Sequence, residues 1–149
     1  MALSYDVVLA RRVDPAEAID TVRDLVGGAL TDDGRLVVMD GLVVSAGAVE
    51  YEPEREAELE RWGFEPAISV GFALEPVPGD WSRAEDAMSV AAVGVAVRLD
   101  SDAGFSLQGE KKLFLRRDGA LTLYWDWRPW REPAVLAKIP EPYTMEPEG

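Results

Sequence analysis

The chain has no histidine, no cysteine and no asparagine, and only three lysines, at positions 111, 112 and 138. Without histidine the usual neutral-pH proton shuttle is missing, and without cysteine so are the thiolate nucleophile, the disulfide and the soft metal ligand. These absences exclude most hydrolase, redox and zinc mechanisms, so no enzyme, no cofactor and no metal site is expected. No stretch approaches the roughly 20 apolar residues of a membrane helix. Arg11 and Arg12 follow the opening apolar run instead of preceding it, the wrong order for a secretory signal. A cytoplasmic location is expected, with no membrane partner. A net charge of −13 argues against direct nucleic-acid binding, because affinity for a phosphate backbone comes from Lys and Arg displacing counterions. Coding bias is one source of that acidity, given twelve arginines against the three lysines; a field that steers and holds a basic partner protein is the other.

What is present reads as one globular domain over residues 1–149, with 48% hydrophobic residues spread along the chain and a monomer expected when free. Leu3 to Ala10 alternates as a first strand, with Leu3, Tyr5, Val7 and Leu9 on one face. Asp14-Pro15-Ala16-Glu17 opens a helix whose Ile19, Val22, Leu25 and Val26 share a face until Gly27-Gly28. Asp40-Gly41 joins strands at 36–39 and 42–49, a short helix is expected over 53–62, and a strand over 68–74 ends at Glu75-Pro76-Val77-Pro78-Gly79. Asp80 or Ser82 is expected to cap a second long helix carrying Ala84, Met88, Ala91, Val95 and Leu99 on one stripe, with Gly94 allowing close packing against a sheet. Strands over 105–107, 112–116 and 121–125 complete a meander, and the five prolines beyond Asp126 predict an irregular segment over 126–149. The fold class expected is α+β, an antiparallel sheet of about six or seven strands with two main helices on one face.

Few constellations carry chemistry. Asp100, Asp102, Gly104 and Glu110 miss the spacing of a calcium loop and read as a helix-to-strand turn. With 28 acidic residues, pairs of carboxylates are too common to mark an acid–base site. Two segments stand out as partner-binding candidates. Between Glu50 and Glu60 six glutamates alternate along the chain with one arginine among them, and on a short helix that spacing sends Glu52, Glu54, Glu56, Glu58 and Glu60 around several sides. The cluster Trp125-Asp126-Trp127-Arg128-Pro129-Trp130-Arg131 holds three of the five tryptophans. Alternation would bury Trp125 and Trp127. Trp127, Arg128, Trp130 and Arg131 are equally the residue types of binding hot spots, with the two arginines the more exposed members.

The ordered segments Ser4-Tyr5-Asp6-Val7-Val8-Leu9-Ala10, Gly63-Phe64-Glu65-Pro66 running into Ile68-Ser69-Val70-Gly71-Phe72, and Gly109-Glu110 followed by Leu113-Phe114-Leu115-Arg116-Arg117-Asp118-Gly119-Ala120-Leu121 resemble the immunity proteins of bacterial swarm-inhibiting, Sit-type polymorphic toxin systems. The resemblance implies a cytoplasmic antitoxin that binds a cognate toxin domain and blocks it; the negative charge of the chain favours a basic toxin domain, for instance one acting on nucleic acid. It assigns no catalytic residue. The alternative reading is a small carboxylate-based enzyme or ligand-binding domain, which requires a deep pocket with convergent polar groups.

Overall fold

A computed structural model describes residues 3–75 and 81–147. Nine strands form one sheet in the order β2-β3-β4-β5-β1-β6-β7-β8-β9. They span Leu3–Leu9 (β1), Ala29–Leu30 (β2), Leu36–Met39 (β3), Leu42–Ala48 (β4), Ile68–Leu74 (β5), Ala103–Leu107 (β6), Lys111–Arg117 (β7), Ala120–Tyr124 (β8) and Tyr143–Glu146 (β9). Every pairing is antiparallel except β8 with β9. The α+β class and the antiparallel sheet agree with the sequence reading, but the strand count exceeds it. The two-residue β2 is too short to leave a period-2 signal, and β9 lies in the proline-rich end, which is ordered rather than irregular. A 3₁₀ turn over Arg128–Arg131, the short helix α4 at Pro133–Leu136 and β9 tie that end back onto the sheet.

Helix α1, Pro15–Val26, starts where Asp14 accepts a hydrogen bond from the Ala16 amide and stops at Gly27. Helix α3, Trp81–Arg98, lies beside it, and both cover the face that carries Tyr5, Val7 and Leu9. Ser82 lies inside α3 and is not its cap, while Asp80 and the Pro76 to Gly79 stretch fall outside the described residues. Gly94 serves a helix rather than the sheet: a Cβ there would stand 2.5 Å from a Leu25 methyl of α1. The core between the helices and the sheet includes an aromatic chain, Phe72 to Phe105 to Phe114, with Tyr5 between Phe105 and Trp127. Burial and the charge of Glu85 push the Tyr5 hydroxyl up to about 12. The remaining helix, α2 at Glu52–Trp62, lies on the opposite face of the sheet, where Trp62 packs with Val8 and Phe64. Of the apolar side chains Ala57, Leu59 and Trp62 along this helix, Trp62 is buried, whereas Ala57 and Leu59 are exposed.

Candidate functional site

The face under α2 is built from small and polar residues. Strand alternation sends Ser4, Asp6 and Val8 to this side when Tyr5, Val7 and Leu9 enter the core. Register then carries one row across the sheet, in which Ser45 stands opposite Gly71, Gly71 opposite Asp6, Asp6 opposite Ser106 and Ser106 opposite Lys112. The next row runs through Gly47, Ser69, Val8, Gly104 and Leu115. Such a surface offers little apolar area to a covering helix, so α2 is fixed at a few points.

Trp62 is the main one. Its ring lies on the bare backbone of Gly104, where a Cβ would come within 2.2 Å of the indole, and the Lys112 ammonium sits 5.4 Å from the ring centroid on a cation–π contact. The indole N–H donates to Glu58 at 2.8 Å, and Arg61 donates to the other Glu58 oxygen at 2.7 Å. Arg55 anchors the helix start, donating to the Val49 carbonyl and pairing with Glu65. Below the helix, burial raises the Asp6 carboxyl above its usual range; the charges of Glu58 and Glu54 add to the effect, while Ser69 and Arg61 oppose it. Ser4, Asp6, Ser45, Gly71 and Ala73 line a shallow notch of ≈ 200 Å³ beside it.

The glutamates of α2 therefore divide into two sets. Glu54, Glu56 and Glu60 are exposed, and Glu52 is exposed with a loose ion pair to Arg55 at 3.9 Å. Glu58 is half-buried and holds the fold together. The tryptophan cluster is not part of this site. Trp127 is buried and donates to Ser89 at 3.1 Å, and Trp130 is 1% exposed and donates to the Leu113 carbonyl at 2.8 Å, both on the α1/α3 side. Arg128 is engaged by Glu85 and Asp86, each at 2.8 Å, and by Glu132 at 3.4 Å. Burial works against its charge, but Asp86 and Glu85 raise its pKa. Arg131 is exposed. Trp125, expected inside with Trp127, is instead 47% exposed, because β8 ends at Tyr124 and alternation ends with it.

The calcium-like loop is occupied by protein contacts. Asp100 pairs with Arg116 at 3.0 Å and Asp102 accepts from the Asp118 amide at 2.8 Å. Among the described residues no group of His, Cys, Asp or Glu is arranged to hold a metal, and no helix is long and apolar enough to cross a membrane.

No curated protein and no solved structure matches the chain. A family model described as SitI3-like matches residues 3–134, a span that takes in the first eight strands, α1, α2 and α3, and so both faces of the sheet. The chain belongs to the SitI3-like family.

Proposed function

We propose that this chain is a cytoplasmic immunity protein that binds a cognate toxin domain and occludes its working surface, without chemistry of its own. Membership of the SitI3-like family supports the immunity role. The observation that carries the location is α2, a helix that buries one large side chain, Trp62, and turns Glu54, Glu56 and Glu60 to solvent over an open polar sheet face. Isolated helices of this length are marginal in water, and like charges at i and i+4 weaken them further. Exposed carboxylates on a helix pinned at Arg55 and Trp62 complement a basic cleft, and their main effect is on the rate of encounter. Lack of histidine and cysteine favours occlusion over catalysis.

The substitutions that test this are Glu54→Gln, Glu56→Gln and Glu60→Gln together, leaving Glu58 to its bonds with Arg61 and Trp62. Stopped-flow mixing with the cognate toxin domain should show association slowed several-fold at low salt, the difference shrinking as salt rises. The melting temperature should stay within a degree or so of the parent, since exposed charges contribute little to stability. An unchanged association rate in the folded triple variant removes α2 from the interface. Failure of the parent protein to protect cells that express the toxin domain removes the immunity role itself.

A further inference from the structure

On the side of the sheet away from α2, the helices do not close completely. Between the end of α1, the first half of α3 and α4 lies an open groove of ≈ 630 Å³. Its floor and walls are apolar: Leu25 and Val26 from α1, Met39 from β3, Val90 from α3 and Val135 from α4. Ala87 keeps the α3 wall low. The volume lies within the range of pockets that take small ligands.

The rim is unusual for this chain. Arg83 and Lys138, both exposed, flank the groove from α3 and from just beyond α4. Among the described residues neither side chain has an ion pair or a hydrogen bond, although the chain carries 28 carboxylates against 15 cations. The one acid that lines the groove, Asp86, is already held by Arg128 at 2.8 Å. Among the described residues the apolar trough thus has two unpaired cationic side chains at its rim, while its acid, Asp86, is drawn to Arg128.

We infer that this groove is a binding site for an anionic amphiphile, a molecule with one carboxylate or sulfonate on an aliphatic or aromatic body. The body would displace water from Leu25, Met39, Val90 and Val135, while the head group would lie between Arg83 and Lys138 at the rim. A cationic amphiphile of the same length would meet the two like charges and be refused. The site is independent of the toxin-binding reading, since α2 occupies the other face.

The test uses the full chain, with anilinonaphthalene sulfonate as a fluorescent probe and dodecanoate, 1-naphthoate and dodecyltrimethylammonium as competitors below their micellar concentrations. Saturable one-to-one probe binding is expected, displaced by dodecanoate if aliphatic bodies fit and by naphthoate if aromatic ones do, but not by the ammonium. Arg83→Gln with Lys138→Gln should weaken the anions about tenfold, and Ala87→Trp should abolish binding by filling the trough. Amide chemical-shift changes on adding dodecanoate or naphthoate to the unaltered protein should centre on Val26, Ala87 and Val90, which keeps the test decisive should the tryptophan variant not fold. Competition by the ammonium equal to that by the anions, indifference to the double charge variant, or a shift footprint elsewhere overturns the inference.

Discussion

Asp6 occupies the centre of the second face, and its environment makes it a cost at neutral pH. Burial raises its pKa from 3.8, helped by Glu58 and Glu54, so the folded chain binds this proton more tightly than the unfolded one does. The stability linked to that proton is fully present below the unfolded value and is lost as pH rises through the raised one. Asp6→Asn removes the charge without changing the shape, and should raise the melting temperature at pH 7; the gain over the parent should vanish towards pH 3, where both side chains are neutral. Equal melting curves across that window would show that Asp6 pays no penalty for its site. Gly104 is the second residue whose identity is dictated here. Any side chain at 104 collides with the Trp62 indole, which is held against Glu58 and Lys112 and has nowhere to retreat without lifting the end of α2. Gly104→Ala is expected to destabilise by roughly 1–3 kcal/mol, the usual range for overpacking, with a change in tryptophan emission as the second sign that α2 has moved.

Among the elements, the C-terminal segment depends on Arg128. It ties the 3₁₀ turn to α3 through Glu85, whose side chain is 8% exposed, and through Asp86. Arg128→Ala leaves Glu85 unpaired in a poorly hydrated place and should cost about 1.5–3 kcal/mol in urea denaturation, the range for hydrogen bonds to charged groups. Arg131→Ala, at an exposed position, should cost well under half of that. These same residues mark the limit of what the sequence reveals. Helix α1 is legible because Asp14-Pro15 and Gly27-Gly28 bracket an apolar stripe, and β5 falls at the limits expected of it, Ile68–Leu74. The ordering of 126–147 is not legible, since it rests on long-range bonds from Trp127, Arg128 and Trp130 to Ser89, Glu85 and Leu113. Prolines there set local turns and say nothing of what lies across the chain. Hot-spot composition likewise pointed to Trp127 and Trp130, but composition does not distinguish an aromatic that meets a partner from one that closes a core. The glutamates of α2 were visible as a charge pattern; that Glu58 alone turns inward follows from Arg61 and Trp62 sharing its side of the helix, a detail of rotation that the pattern does not carry.

At the scale of the molecule, the excess of negative charge sets both solubility and a self-repulsion that opposes the compact state. Adding salt from low to physiological strength should therefore raise the melting temperature, because screening relieves the net charge of −13 more than it weakens the exposed ion pairs; a falling melting temperature would mean that the pairs dominate. The sheet protects its margins as well. β2 has two residues, and the four-residue β9 lies between Pro142 and Pro147, which cannot donate to an added strand. Helix α2 has a different freedom. It is inserted between β4 and β5, which pair with each other from Leu42 opposite Leu74 to Ala48 opposite Ile68. The two ends of the insertion are thus stapled by the sheet whatever lies between them, and the one large side chain that α2 buries against it is Trp62. On the proposed toxin-binding role its outward residues would form a replaceable reading head: exchanging Glu54, Glu56 and Glu60 for another pattern would change the partner recognised while the scaffold beneath keeps its register, so that new specificities would need a few surface changes instead of a new fold.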